Sequence, residues 1–133
     1  LCFRDDRLSD QIGFEYAKWH GQDAARHFVG ELEGILERTP DEVTPLVCVI
    51  LDGENAWEYY PYNGYWFFED LYAALGAHPA IRTTTLAEAL PRHAAREGQL
   101  PPLVAGSWVY GTLSTWMGDA DKNHAWDLLC SAK

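Results

Sequence analysis

An α/β fold built on parallel strands is what this sequence predicts, and three observations carry the prediction. Leu46 to Leu51 is a continuous apolar run rich in Val and Ile. It is too short for a helix and reads as a parallel strand covered on both faces. At its carboxyl end the composition changes abruptly to Asp52-Gly53-Glu54-Asn55. That places two carboxylates, an amide and a flexible glycine where folds of this class hold their ligands. Stretches with helical periodicity flank the run on both sides, the later one read as a short helix packed on the sheet.

Taken in order, Leu1 to Phe3 reads as a short strand. Arg4-Asp5-Asp6-Arg7 at its end repeats in miniature the arrangement of apolar strand followed by acid, which predicts that Asp5 and Asp52 share one pole. Ser9 reads as an N-cap with Asp10 in the first turn, and Ile12, Tyr16 and Trp19 then give an apolar face until Gly21 interrupts it. Asp23 recaps the chain, and Phe28, Leu32, Ile35 and Leu36 form a cleaner stripe to Arg38, so one interrupted helix or two consecutive ones are predicted. Thr39-Pro40 ends it, because the residue before proline is pushed out of the α region.

Beyond the central run, Trp66 to Leu75 carries Phe67, Leu71, Ala74 and Leu75 on one helical face, with Gly76 at the C′ position. Ile81 to Thr85 reads as another short strand, and Thr85 with Glu88 fits a capping box whose helix Pro91 keeps short. Glu97 to Ala105, with Gly98, Pro101 and Pro102, reads as a loop. Gly106 to Gly118 is a glycine-punctuated aromatic connection, after which Asp121 starts a helix with Ala125, Leu128 and Leu129 toward a core.

Composition narrows the function. A chain of 133 residues with formal net charge -10 lacks the Lys/Arg surface that phosphate binding depends on, so nucleic acid is excluded as a partner. It carries no run of ~18 apolar residues and no signal-peptide pattern, so no membrane span or leader is read from it. Cys2, Cys48 and Cys130 are far apart and lack metal-ligand spacing. They read as buried free thiols of a cytoplasmic, reducing environment.

The chemistry concentrates around Asp52. Asp52 and Glu54 are two apart, and neighbouring carboxylates whose acidities are driven apart supply the acid and base of glycoside cleavage. The competing reading makes Asp52 a turn cap and Glu54 a solvated acid. Asp5, Asp6, Asp52 and Glu54 are alternatively the oxygen ligands of a divalent metal, as in a polysaccharide-deacetylase-like hydrolase. No HxxH or HExxH motif accompanies them, the five histidines are isolated, and no G-x-S-x-G elbow is present. Trp57, Tyr59, Tyr60 and Tyr62 lie in a loop with Pro61 and Gly64. Their ring faces suit the C–H faces of sugars, which leaves a non-catalytic carbohydrate-binding domain as a further alternative.

Three segments carry a family resemblance: Phe3 to Tyr16 (FRDDRLSDQIGFEY), Leu51 to Gly64 (LDGENAWEYYPYNG), and Gly106-Ser107-Trp108 through Trp116-Met117-Gly118 to Asn123-His124-Ala125-Trp126. In this order they resemble the family 57 glycoside hydrolases, in particular the amylopullulanase and α-amylase branch. The resemblance implies a fragment of an incomplete (β/α)7 barrel with short parallel strands and flanking helices. It implies retaining hydrolysis or transfer at α-1,4 or α-1,6 glucosidic bonds, with Asp52 as acid/base and no metal or other cofactor in the chemistry. Arg4, Asp5, Glu54, Asn55, Trp57, Tyr60 and Trp108 are then the residues expected to line the α-glucan. The family's nucleophile glutamate lies upstream of the matching segments, so the chain is expected to be one partial domain, residues 1–133, with half of a catalytic pair. An uncovered strand edge at Val47 to Ile50 predicts self-association of such a piece.

Overall fold

The computed structural model describes residues 2–53, 57–93 and 98–133. They fall into two compact units, Leu1–Ala94 and Ala95–Lys133.

The first unit is built on helices. Asp5 caps α1, Asp6–Asp10, its side chain accepting from the Leu8 N–H at 2.9 Å. The chain continues through a π-helical turn, Gln11–Glu15, and a 3-10 turn, Tyr16–Lys18. Helix α2, Gly21–Glu37, follows with His20 at its N-cap and no side-chain cap. The second of the two helical alternatives therefore holds, with starts that differ from expectation. Asp5 rather than Ser9 caps the first helix, and Asp23 sits inside α2, paired with Arg26 at 2.9 Å. Thr39 closes the stretch, its N–H on the Leu36 carbonyl and its hydroxyl on that of Ile35.

A 3-10 turn, Pro61–Gly64, leads into α3, Tyr65–Ala77. Gly64 has φ +80, and a Cβ there would stand 3.4 Å from the rings of both Phe68 and Trp57, so only glycine suits this entry. Helices α2 and α3 pack closely where a Cβ on Gly21 would come within 2.6 Å of the Asp70 carboxylate and 3.4 Å of the Phe67 backbone. Gly76 lies within α3, and the C-cap is His78. Helix α4, Leu86–His93, is half a capping box: the Glu88 N–H reaches the Thr85 hydroxyl, whereas the Glu88 carboxylate is bonded to the Thr84 hydroxyl.

One core holds the first unit together. Leu8, Ile12, Tyr16, Ala24, Ala25, Phe28, Tyr60, Phe67, Leu71 and Leu75 are buried together, with Val47, Val49, Leu51, Trp57 and Ile81 packed against them. The helical periodicities of Ile12 and Tyr16 and of Phe67, Leu71 and Leu75 thus point inward as their spacing requires. Trp19, on the same predicted stripe, is 44% exposed.

The expected sheet is not present. Among the described residues none belongs to a β-strand, which overturns the α/β class, the barrel fragment and the strands at Leu1 to Phe3, Leu46 to Leu51 and Ile81 to Thr85. Leu1 itself lies outside the described residues. The physical reason is visible between residues 2–5 and 46–51. A single backbone bond joins them, from the Asp5 N–H to the Cys48 carbonyl at 2.8 Å. Both backbone groups of Ile50, which a ladder would need, are taken by side chains instead: its N–H by the Ser9 hydroxyl and its carbonyl by Arg4. The run is also not covered on two faces, since Leu46 and Ile50 are exposed. With no sheet edge described, the basis for the expected self-association falls away.

The second unit contains α5, Ala120–Ala132, capped by Asp119, whose side chain accepts from the Asp121 N–H at 3.0 Å. No residue of α5 is buried, so Leu128 and Leu129 do not face a core as predicted. Trp126 donates from its indole N–H to the Trp116 carbonyl at 2.9 Å, and Lys122 reaches the Ser114 carbonyl at 3.0 Å. Cys130 is exposed, which corrects its reading as a buried thiol, while Cys2 and Cys48 are half-buried. Cys48 lies within hydrogen-bonding reach of Cys2, and burial first, then that bond, pushes its thiol pKa up.

Candidate active site

The geometry around the Asp52 segment begins at Asp5. Its backbone carbonyl accepts from the Ser9 hydroxyl at 2.6 Å and from the Ser9 N–H at 3.1 Å, while its carboxylate caps α1. Asp5 therefore has a defined local task, to start the helix. The cap fixes the direction in which α1 leaves, and with it where Arg4 and Ser9 stand.

Arg4 spreads its guanidinium over three partners. Nε donates to the Ile50 carbonyl at 3.1 Å, Nη1 to Asp6 at 2.5 Å and Nη2 to Asp10 at 2.5 Å. The bonds to Asp10 and then Asp6 raise its pKa further above an already high value, so the group is a permanent cation.

Asp52 stands two residues beyond Ile50 and is exposed. Among the described residues it has no hydrogen-bond or ion-pair partner, and residues 54–56, where the turn cap of the competing reading would find its donors, lie outside them. Among the described residues nothing lies within 4 Å of a would-be Cβ on Gly53. Glu54 and Asn55 lie outside the described residues.

The aromatic residues divide into two groups. Trp57 is half-buried, edge-on to Phe68 with centroids 4.2 Å apart and to Tyr60 at 5.5 Å. Tyr60 belongs to the core: it is buried, its hydroxyl donates to the Ile12 carbonyl, and burial strongly raises its pKa. Its ring is therefore turned from solvent. Tyr59, Tyr62, Tyr65 and Trp66 are exposed. Tyr62 and Asn63 have φ of 53 and 54, a left-handed backbone that is unusual for tyrosine. Trp108, in the second unit, is 89% exposed.

Ser9 and Asp10 were not foreseen as part of this arrangement, and Asp6 only as a metal ligand. Their signal was the spacing of two acids after Arg4, which the apolar pattern of the segment obscured. A second polar set escaped because its histidine looked isolated. The Tyr16 hydroxyl lies 2.8 Å from His27 Nδ1 and 3.2 Å from Gln11, and Glu31 lies 3.7 Å from His27 Nε2 and 2.5 Å from Arg7. Burial, reinforced by Glu31, pushes the Tyr16 pKa up to about 12. An open groove between α2 and α3, lined by Gln22, Arg26, Glu33 and Asp70 among others, includes none of the predicted site residues.

Among the described residues no group of three or more His, Cys, Asp or Glu is arranged to hold a metal ion. The metal-dependent alternative has no ligand set there. What the arrangement offers is the solvent-facing carboxyl group of Asp52, on a segment tied to α1 from two sides, with a partly exposed indole five residues on.

No curated protein matches the chain, and no solved structure does. The family model for glycosyl hydrolase family 57 matches residues 1–101, a span that contains Arg4, Asp5, Asp52, Trp57 and Tyr60 and leaves Trp108 outside. With that model covering residues 1–101 of 133, the chain belongs to glycosyl hydrolase family 57, and its substrate class is carbohydrate.

Proposed function

We propose that Asp52 is the general acid/base of a retaining enzyme that hydrolyses or transfers α-glucans at α-1,4 or α-1,6 linkages. The observation that supports this most is the solvent-exposed carboxyl group of Asp52 inside the span that the family model matches.

In such a reaction Asp52 donates its proton to the leaving glycosidic oxygen as a second carboxylate attacks the anomeric carbon. Water, or a sugar hydroxyl in transfer, then returns a proton to Asp52 as it cleaves the glycosyl-enzyme bond. The two carboxyl groups of a retaining pair stand about 5–5.5 Å apart. The resemblance of the motifs assigns the attacking role to a glutamate outside these residues, so residues 1–133 supply one half of the pair and part of a catalytic domain. Trp57 offers ring surface to a sugar, with Tyr60 supporting it from below. Arg4 and Asp5, with Glu54 and Asn55, complete the proposed substrate-lining set. The free thiols fit a reducing, cytoplasmic setting.

The test compares Asp52→Asn with the wild type in the protein as its gene encodes it, on maltooligosaccharides and on an α-glucosyl fluoride. Loss of a general acid costs about 10²- to 10⁴-fold where the leaving group needs a proton. Fluoride leaves without one, so glycosyl-enzyme formation from the fluoride should be nearly unchanged in single turnover. Unaltered turnover of both substrates sinks the assignment. The 133-residue chain alone is expected to release no sugar from starch.

A further inference from the structure

We infer that Ser9 is a positioning residue for Asp52, acting through the backbone of Ile50; the inference rests on the reading of Asp52 as the acid/base. Ser9 is buried, with relative exposure 0%. Its hydroxyl is fully committed. It donates to the Asp5 carbonyl at 2.6 Å and accepts from the Ile50 N–H at 3.2 Å.

The Asp5 carbonyl does not need that hydroxyl, because the Ser9 N–H already bonds to it at 3.1 Å. The Ile50 N–H has no other acceptor among the described residues. The bond that depends on Ser9 is therefore the one to the segment that carries Asp52. On the other side of the same residue, Arg4 Nε holds the Ile50 carbonyl at 3.1 Å. Both polar backbone groups of Ile50 are thus fixed by side chains anchored at α1, in a segment that no strand ladder steadies.

A carboxyl group two residues from this clamp inherits its precision. An acid acts only when its proton lies within hydrogen-bond reach of the leaving oxygen. Displacement by about 1 Å is enough to cost up to roughly 10²-fold in rate. Ser9→Ala keeps the helix and the packing volume nearly intact but leaves the Ile50 N–H unpaired, so the segment relaxes toward solvent.

The experiment sets Ser9→Ala beside Asp52→Asn in the protein as its gene encodes it. The inference expects Ser9→Ala to lower kcat on maltooligosaccharides about 10-fold, with KM within about twofold. Single-turnover cleavage of the α-glucosyl fluoride should fall less than about twofold, because that step needs no proton from Asp52. A structural defect would lower both substrates together by reducing the active fraction. Equal losses on the two, or no loss on either, overturn the inference. If Asp52→Asn shows its selective loss while Ser9→Ala matches wild type, the inference fails and the reading of Asp52 stands. If Asp52→Asn is silent, both fall. Should Ser9→Ala not fold, amide exchange of the wild type decides: the Ile50 N–H is expected to be as protected as the α1 amides, and exchange at the rate of an open loop overturns the clamp.

Discussion

Helices α2 and α5 invert the relation that their sequences lead one to expect. Helix α5 has the better start, a capping aspartate whose side chain accepts a backbone N–H, yet none of its residues is buried. Helix α2 has no side-chain cap at all, yet it buries Ala24, Ala25 and Phe28 against α3 and the turns that precede it. A cap decides where a helix begins. Burial is decided by whether another element presents a matching face, and most helical stability in proteins comes from that packing.

The largest effect that tests this contrast is at Phe28. It is 4% exposed and belongs to the buried core of the first unit, and truncation there leaves a cavity. Phe28→Ala is expected to destabilise the first unit by about 3–5 kcal/mol, read as a shift in the urea midpoint at unchanged slope. A loss under about 1 kcal/mol would mean that α2 is no better packed than α5, and the contrast would fail.

The same distinction separates what was legible in the sequence from what was not. Faces at helical spacing, such as Phe67, Leu71 and Leu75, were readable because the partner of a helix face is any apolar surface. The end of α2 at Thr39 was readable because proline acts locally. The Leu46 to Leu51 run was misread because an apolar run specifies a wish for burial and says nothing about which groups take its backbone. Here Ser9 and Arg4 take them, from 41 and 46 residues away. Tyr60 was misread for a related reason. It sits in an aromatic loop among exposed neighbours, and only the Ile12 carbonyl, 48 residues away in sequence, accounts for its inward turn. The motif around Asp52 stood out in the sequence because two acids, a glycine and an amide follow an apolar run abruptly.

A medium effect comes from the two buried phenols. Burial raises the pKa of Tyr60, and raises that of Tyr16 to about 12, against about 10 for a tyrosine in the unfolded chain. The unfolded state therefore gives up its phenolic protons first. Stability tied to these hydroxyls is complete below pH ~10 and is lost as pH rises through the folded-state values. For Tyr16 the full loss is on the order of 2 kcal/mol. Urea unfolding at pH 8 and pH 11.5 should show a steeper decline for wild type than for Tyr16→Phe. In the second unit Tyr110 is 87% exposed, and Tyr110→Phe should leave the decline as it is. Equal slopes for all three proteins would show that the buried phenols are not the source.

The smallest effect is the sharpest test of the contrast, because it concerns residues whose pattern says core and whose surroundings say solvent. Leu128 and Leu129 were read as inward-facing, yet they are 58% and 62% exposed. Most of each side chain is in water before any mutation, so shortening it gives up little buried area and opens no cavity. Alanine has the higher helix propensity, which offsets part of what contact remains. Leu128→Ala and Leu129→Ala are therefore each expected to change stability by no more than about 0.5 kcal/mol in either direction. Thermal melts of the 133-residue chain measure this directly. A loss near that of Phe28→Ala would mean that α5 buries this face in solution, and the difference between the two helices would then lie in their surroundings rather than in their packing.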